Sequence, residues 1–474
     1  MADRLLRWLP LAMVCGLLAW VAGRAARPIA DPDDWWHLRL GNDLIDQHSL
    51  ATPHHWSSFA TVSWVPTEPV PEVVAAWVER WLGLPGLAWL FGLAAMVVVV
   101  VVYLANRREG RMLAAGVATV LAVLASSGSL TSRPQLVSFV LLPVLMAAWL
   151  QSERDLRPRW WLVPLAWVWS LCHGFWFVGV AYGFLFLVGI ALSRRATAGE
   201  LARLGAVALG SFAVVLLNPV GLGVLKAPFA VSSTSQFIQE WDRTDLLLSG
   251  PLGAAAMIVG TAVVWLLTRR GVTWARVLVL VGATFWLWYA GRTVVIAGLT
   301  VAPVFTAALE TLLTRFGSPE EADASRGPGR VELGVLIASA AVLLTGLAAV
   351  VPHTSATPGD VPLGLDARLD QLAPGTKVFN AYELGGWIHW RHPGLDPYID
   401  GLITPYSSAH ASSYEQAVST STGWYGVVRD SAAPVALLRT GSALAAGLEH
   451  HGWVPDGESD GYVLLRSPSP ASAG

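Results

Sequence analysis

Long hydrophobic runs, separated by short polar segments, fill most of the chain as far as Val351. Runs of about 17 to 25 apolar residues are long enough to cross the hydrocarbon core of a bilayer as helices. The pattern predicts eleven spans, at 5–22, 84–104, 112–128, 134–150, 160–172, 174–192, 204–218, 251–267, 277–290, 293–313 and 333–351. The predicted fold class is therefore an all-α polytopic membrane bundle over residues 1–351.

The first loop, residues 24–83, contains no run of this length at its centre. Asp33 or Asp34 is expected to cap a helix that runs to about Ile45. Three apolar residues share one face of that helix: Trp36, Leu40 and Leu44. The pair of Trp35 and Trp36 is expected in the headgroup layer. A second amphipathic helix begins near Pro71, with Glu72 on its polar face, and we expect it to lie in the plane of the membrane interface.

The pattern changes again after the last predicted span. Short runs rich in β-branched and aromatic residues, with one helical stretch, predict a small extracytoplasmic α/β domain over residues 352–467. Its elements are expected near 377–379, 383–390, 397–400, 432–439 and 462–466. The last residues, 468–474, are expected to be a disordered tail.

Composition agrees with the hydrophobic pattern. The chain has 474 residues, of which 54% are hydrophobic and only 14% charged, and its mean hydropathy is +0.52. A soluble globular protein is far less apolar than this. The two cysteines, Cys15 and Cys172, exclude a disulfide framework, and no cysteine–histidine spacing suggests zinc. No nucleotide phosphate loop is present and no nucleic-acid partner is expected.

The arginines predict how the spans are oriented. With the N-terminus inside, each short cytoplasmic loop carries three arginines, as the positive-inside rule requires. They are Arg107, Arg108 and Arg111; Arg154, Arg157 and Arg159; Arg194, Arg195 and Arg203; Arg269, Arg270 and Arg276; and Arg315, Arg326 and Arg330. We therefore expect a multi-pass protein of a bacterial plasma membrane, with a cytoplasmic N-terminus and an extracytoplasmic C-terminal domain.

The same orientation collects the unusual polar residues at the outer side. They are Asp31, Asp33, Asp34, His37, Glu68, Arg133, His173, Glu240, Trp241 and Arg292. Each also has a structural interpretation. An aspartate can cap a helix, His37 can be an interfacial residue, His173 can belong to a helix junction, and arginines can reach lipid phosphates from span ends.

Several motifs resemble those of a large group of bacterial polytopic membrane proteins. The first-loop motif is Asp31-Pro32-Asp33-x-Trp35-Trp36-His37-Leu38-x-x-Gly41. Others are Ser132-Arg133-Pro134-Gln135, His173-Gly174, Leu217-Asn218-Pro219-x-Gly221, Ile238-x-Glu240-Trp241, Gly291-Arg292, Val378-Phe379-Asn380-x-Tyr382-x-x-Gly385-Gly386 and Tyr398-Ile399-Asp400-Gly401. The group resembles the GT-C superfamily of integral membrane glycosyltransferases. Asp34 departs from the group's pattern, which usually has a non-acidic residue there.

The resemblance implies a glycosyltransferase that uses a polyprenyl-phosphate-linked sugar donor and an essential aspartate in the first loop. Asp33 matches the motif best and would be the catalytic base, with Asp31 and Asp34 as the other candidates. The expected donor-phosphate ligands are Arg292, Arg133 and His173, since guanidinium suits phosphate. The expected substrate-binding residues are His37, Glu68, Glu240 and Trp241. Whether Asp31 and Asp33 hold a divalent cation is left open, and the acceptor is not identified.

Two other functions compete with this one. A transporter or flippase of lipid-linked intermediates should have charged or broken helices near the bilayer midplane, often in repeated halves. The sequence places its charges at span ends and has no internal repeat. A non-enzymatic envelope protein, which uses its outer domain to bind a partner, fits the same topology.

Overall fold

We analysed a computed structural model, in which residues 2–50, 55–230, 241–316 and 327–468 are described. They form two compact units. The helical unit comprises Met1–Arg27, Pro85–Val224 and Ile238–Thr354. The α/β unit comprises Pro28–Leu84, the short piece Leu225–Phe237 and Ser355–Gly474. The predicted domain bounds, 1–351 and 352–467, stay a prediction, and residues 469–474 of the expected tail lie outside the described residues.

Helices dominate the described chain. Their bounds are α1 Ala2–Ala25, α2 Pro32–Gln47, α3 Pro69–Arg107, α4 Met112–Ser126, α5 Leu136–Asp155, α6 Leu162–Ser170, α7 Trp176–Leu192, α8 Ala198–Ala213, α9 Gly223–Ala230, α10 Ser249–Thr268, α11 Trp274–Tyr289, α12 Val294–Phe316, α13 Arg330–Thr354, α14 Asp366–Leu369, α15 Gly385–Arg391, α16 Ser408–Val418, α17 Trp424–Asp430 and α18 Ala443–His450. The strands are β1 Lys377–Asn380, β2 Asp396–Pro397, β3 Val435–Arg439, β4 Val454–Ser459 and β5 Tyr462–Arg466.

Each of the eleven predicted spans contains a helix. Among the described residues, seven helices are long and apolar enough to cross a membrane: α1, α3, α5, α8 with its 3₁₀ extension, α10, α12 and α13. Three are shorter: α4, α7 and α11. Helix α6 has nine residues, about 14 Å of rise, against a hydrocarbon core of about 30 Å. The predicted all-α membrane architecture is confirmed, whereas the count of eleven spans stays a prediction.

Helix α12 lies at the centre of the helical unit, packed against α4, α5, α10 and α11. Small residues allow the close approach to α4, because a Cβ on Gly298 would lie only 2.6 Å from the Cβ of Ala125. In a bilayer, helices gain little from hydrophobicity toward one another, so such small-residue contacts matter more.

Loop arginines predicted to set topology also join helices of this unit. Arg107 contacts Glu332 on α13 at 2.7 Å, and both side chains are buried. Glu109 contacts Arg154 at 2.6 Å and Arg276 at 3.4 Å. The arginines therefore hold the loop ends together as well as carrying the charge bias.

The sheet of the α/β unit has five strands in the order β2-β1-β3-β5-β4. Strand β1 pairs in parallel with β2 and β3, whereas β5 pairs antiparallel with β3 and β4. Strands β3 and β5 are buried along almost their whole length, as their continuous apolar sequences predict. The predicted soluble α/β segment is thus found, although β4, α16, α17 and α18 were not predicted.

Helix α3 is interrupted at Gly83, whose φ of 64° is outside the helical range. On the half before this break, Trp77 and Trp81 are 57% and 73% exposed, and Leu82 is also exposed. Glu72 points the other way and is buried. An exposed tryptophan-rich face of this kind suits the membrane interface, as predicted for this helix.

The first loop and the C-terminal segment belong to one compact unit. For example, the Gly359 N–H donates to the Ile29 carbonyl at 2.7 Å, and the Val62 N–H donates to the Pro405 carbonyl at 2.8 Å. Both segments must therefore lie on the same side of a bilayer. An even number of crossings then separates them. The ten spans predicted between the two segments satisfy this condition, and an incomplete crossing by one of them would require a second incomplete crossing.

This arrangement predicts a labelling pattern. In a variant without Cys15 and Cys172, we expect Thr61→Cys and Glu449→Cys, both at exposed positions, to react with a membrane-impermeant maleimide in intact cells. Arg195→Cys, in a predicted cytoplasmic loop, should react only after permeabilisation. The cysteine-free parent is the control. Different accessibility at positions 61 and 449 would contradict the even number of crossings.

Candidate functional site

The acidic motif forms the first turn of α2. Asp31 is the N-cap, and its Oδ1 accepts the Asp33 N–H at 3.1 Å. Pro32 occupies the first helical position, where its missing N–H costs nothing. The prediction that Asp33 or Asp34 caps this helix is therefore wrong, because the cap lies two residues before Asp33 and three before Asp34. Asp34 is buried, whereas Asp33 is half-buried, so Asp33 is the more accessible of the two helical carboxylates.

Two glycines allow α2 to lie directly against the C-terminal segment. A Cβ added to Gly386 would come within 3.1 Å of the Pro32 carbonyl oxygen and of the Trp36 backbone nitrogen. A Cβ added to Gly401 would lie 2.5 Å from Oδ1 of Asp33. Any larger residue at position 401 would thus displace the Asp33 carboxylate.

A buried network supports the loop that carries Gly401. Oδ2 of Asp400 accepts the Tyr406 O–H at 2.7 Å and the His389 Nε2–H at 3.0 Å, and Oδ1 accepts the Leu402 N–H at 2.8 Å. Burial, and then the charge of Asp400, raise the pKa of Tyr406 well above its usual range. Asp400 and Gly401, which belong to one of the motifs named from the sequence, thus have structural contacts here.

Trp35 lies in the protein core and not in the headgroup layer that was predicted for the pair of Trp35 and Trp36. It is 1% exposed and stacks on Trp390 of the C-terminal segment, with ring centroids 5.0 Å apart. Of the two tryptophans, Trp36 is only half-buried, and its indole N–H is buried without a hydrogen-bond partner among the described residues. The headgroup location expected for this pair is therefore wrong for Trp35, which is a core residue.

His37 lies between two glutamates at the contact of α2 with the start of α3. Its Nδ1 is 2.8 Å from Oε1 of Glu72, and its Nε2 is 3.7 Å from Oε2 of Glu68. Gly41, one turn further along α2, has no side chain to hold the helices apart. The sequence predicted His37 and Glu68 as substrate-binding residues but missed Glu72, which it placed on a polar surface.

A cation held by Asp31 and Asp33 finds little support in this geometry. Asp31 is engaged as a helix cap, and in the described parts of the chain no group of three ligand atoms includes Asp31, Asp33 or Asp34. The three residues that do converge on one point are His37, Glu68 and Glu72.

In the helical unit, His173 is buried at the junction of α6 and α7. Its Nδ1 accepts the Phe175 backbone N–H at 3.2 Å and lies 2.8 Å from the hydroxyl of Ser138. The Trp169 indole N–H donates to that hydroxyl at 2.7 Å, so the hydroxyl proton is directed to the histidine. Nδ1 therefore carries no proton, and the ring proton is on Nε2.

Arg292 lies near His173 and Trp241. Burial, and then the charge of Arg292, lower the pKa of the His173 imidazole well below its usual range. The guanidinium carbon of Arg292 is 6.0 Å from the centre of the Trp241 ring, within cation–π range. Trp241 also meets Tyr289 edge-on at 6.3 Å, and its buried indole N–H has no partner among the described residues. The helical unit thus contains three candidate hydrogen-bond donors: the Arg292 guanidinium, the neutral His173 imidazole and the Trp241 indole N–H.

The other predicted residues are less informative. Arg133 is half-buried in the turn before α5, and its role as a phosphate ligand stays a prediction. Glu240 lies outside the described residues. Sequence reasoning missed three side chains that contact the motif residues, namely Glu72, Ser138 and His389. The spacing of Glu68 and Glu72, four apart as one helical face requires, could have indicated the first of them.

The described structure is similar to AglB, an archaeal oligosaccharyltransferase from Archaeoglobus fulgidus, in complex with an inhibitory peptide and a dolichol-phosphate. The match has 13% identity and a TM-score of 0.57, and covers 90% of this chain and 69% of that one. An Archaeoglobus fulgidus oligosaccharyltransferase in the apo form has 13% identity and a TM-score of 0.55, with 91% and 70% covered. ArnT from Cupriavidus metallidurans, bound to undecaprenyl phosphate, has 13% identity and a TM-score of 0.48, with 97% and 98% covered.

No protein-family model matches the chain, and no curated protein matches it. At 13% identity the likeness to the oligosaccharyltransferase is one of fold. The chain therefore has the fold of that membrane protein, and its described residues include helices that are long and apolar enough to cross a membrane. The narrower motif group named from the first loop stays a prediction.

The contact between Gly401 and Asp33 predicts a sharp difference between two glycine substitutions. We expect Gly401→Ala to displace the Asp33 carboxylate and to destabilise the protein by about 1 kcal/mol, the low end of the cost of overpacking, because the atom that the new Cβ meets is the end of a side chain. Gly426→Ala in α17, where an added Cβ meets nothing within 4 Å, should be neutral or slightly stabilising. Thermal unfolding of the full chain in detergent measures both. Equal stability of the two variants would contradict the contact.

Proposed function

We propose that this protein is a membrane glycosyltransferase that moves a sugar from a polyprenyl-phosphate-linked donor to an acceptor on the extracytoplasmic face. The observation that carries the proposal is the half-buried Asp33 carboxylate, held against Gly401 at the start of α2 in a protein of GT-C-type fold. The orientation rests on the arginine distribution.

Asp33 is the best candidate for the base. Asp31 is engaged as a cap and Asp34 is buried, whereas Asp33 is the accessible helical carboxylate. The positive end of the α2 dipole favours its ionised form. It would accept the proton of the acceptor hydroxyl while that oxygen bonds to the anomeric carbon and the bond to the lipid phosphate breaks. One base acting on such a donor favours inversion of configuration.

The phosphate ligands proposed are Arg292 and His173 in the helical unit, with Arg133 as a further candidate. Negative charge develops on the phosphate oxygen as it leaves, and preorganised donors stabilise it. The guanidinium of Arg292 and the Nε2–H of His173 are such donors. Trp241 offers both an aromatic face for a sugar and an indole N–H.

A lipid-linked donor is also supported by comparison. The AglB structure is a complex with a dolichol-phosphate and an inhibitory peptide. For the present chain we propose the same class of lipid phosphate, with the sugar and the acceptor unspecified.

The proposal predicts that Asp33→Asn abolishes turnover but not donor binding. General-base catalysis contributes about 10²–10⁴-fold to rate, so the variant should lose activity by that factor. The protein would be purified in nanodiscs and given a panel of radiolabelled polyprenyl-phosphate sugars, with binding and consumption measured separately.

Three further aspartate variants sharpen this test. Asp31→Asn should stay active, because asparagine also caps helices. Asp34→Asn tests whether Asp34, and not Asp33, is the base. Asp46→Asn, at the exposed end of α2, is the matched control. If turnover survives in Asp33→Asn, the base assignment is wrong. If no donor binds to the wild type, a non-enzymatic envelope protein becomes the better hypothesis.

A second prediction concerns the phosphate ligand. Arg292→Lys keeps the charge but loses the planar donor pair, and we expect donor affinity to fall roughly tenfold, equivalent to about 1.4 kcal/mol. Equilibrium binding of the donor found above measures this. Arg195→Lys, at an exposed loop position, serves as the control and should bind normally. An unchanged affinity in Arg292→Lys would remove Arg292 from the site.

A further inference from the structure

We propose that His37, Glu68 and Glu72 bind a divalent cation, with Zn²⁺ preferred. The inference does not depend on the proposed function and assigns the cation to none of its catalytic steps. One ligand atom from each residue lies within 4.8 Å of the other two.

The geometry of the cluster follows from two helices that cross closely. His37 and Gly41 lie one turn apart on α2, and Glu68 and Glu72 lie one turn apart at the start of α3, with the Glu72 N–H bonded to the Glu68 carbonyl. A Cβ on Gly41 would overlap the Glu72 backbone and lie 2.8 Å from the Cβ of Ala76. The two helix faces are therefore held together at the level of the three side chains.

Glu72 provides an observation that points to a missing positive partner. Its side chain is 2% exposed, and Oε1 contacts His37. Its Oε2 is buried and has no hydrogen-bond partner among the described residues. An unsatisfied buried carboxylate oxygen is costly unless a cation or donor compensates it.

Burial distinguishes this cluster from another histidine between two carboxylates. The side chains of His37 and Glu68 are only 7% and 13% exposed. By contrast, His392 also contacts two aspartates, at 2.8 Å and 3.3 Å, but one of them, Asp370, is 66% exposed and solvated.

The ligand set indicates which cation fits. Imidazole nitrogen suits Zn²⁺ and related transition metals, whereas Ca²⁺ and Mg²⁺ prefer oxygen ligands alone. Tetrahedral Zn²⁺ needs ligands about 3.3 Å apart. The 3.7 Å between His37 Nε2 and Glu68 Oε2 is close to this value. With Nε2 as the ligand, Nδ1–H keeps its hydrogen bond to Oε1 of Glu72, and Oε2 of Glu72 is the oxygen that remains for the cation. Three protein ligands leave a fourth position for water.

Binding would position α2. His37 lies four residues after Asp33 on this helix, so a cation at His37 would fix the helix turn next to Asp33 against the start of α3. Its role toward Asp33 is thus one of positioning.

The test measures metal directly. The full-length protein, purified in detergent with a histidine-free affinity tag, would be stripped with chelator, incubated with Zn²⁺ and desalted. Elemental analysis should then find about one Zn²⁺ per chain, and thermal unfolding should shift upward on adding the metal. X-ray absorption at the zinc edge should indicate one imidazole with oxygen ligands and no sulfur.

The variants His37→Gln and Glu72→Gln should lose the bound Zn²⁺ and the thermal shift. His392→Gln also removes a buried imidazole between two carboxylates, and should keep both. If a variant fails to fold, the wild-type zinc-edge spectrum still decides. The proposal would be overturned if the wild type bound no Zn²⁺ or if its spectrum showed sulfur ligands. It would also be overturned if Glu72→Gln retained the metal.

These measurements do not depend on enzymatic turnover, so an experiment can contradict either proposal without affecting the other. A metal-loaded protein that binds no lipid-linked donor contradicts the transferase alone. A wild type that turns over donor while binding no Zn²⁺ contradicts the cation site alone.

Discussion

The close contact of α2 with the C-terminal segment is the constraint on which the α/β unit depends. Gly386 and Gly401 have no side chains where Pro32, Asp33 and Trp36 approach, and Trp35 stacks on Trp390 in the core. A first-loop helix and a segment more than 300 residues later in the chain therefore form one body. The acidic motif is not a free loop element, because its orientation is determined by residues near the end of the chain.

Sequence reasoning predicted the features that depend on local pattern. Each apolar run that was predicted to span the membrane contains a helix, and the strand-like runs correspond to β1, β3 and β5. It could not predict contacts between distant segments. Trp35 and Trp36 looked like interfacial residues, yet Trp35 is buried by Trp390. Glu72 looked like part of a polar surface, yet packing of α3 on α2 buries it.

The same limit applied to the candidate site. Motif resemblance singled out Arg292, His173 and Trp241, and the structure places them as neighbours. The protonation state of His173 depends on Ser138 and on the Phe175 backbone, which only the fold brings to Nδ1. A single sequence shows which hydrogen-bond donors a site contains. Where each donor points is determined by hydrogen bonds between residues that only the fold brings together.

The exposed face of the first half of α3 has a consequence for the lipid environment. Trp77 and Trp81 are exposed residues of a kind that favours the headgroup layer, and Glu72 on the same half contacts the helix that carries Asp33. If these indoles lie in the headgroup layer, a change in bilayer thickness moves this half of α3, since hydrophobic mismatch acts on anchors of this kind. The displacement would then reach the Asp33 helix through the contact between Glu72 and His37.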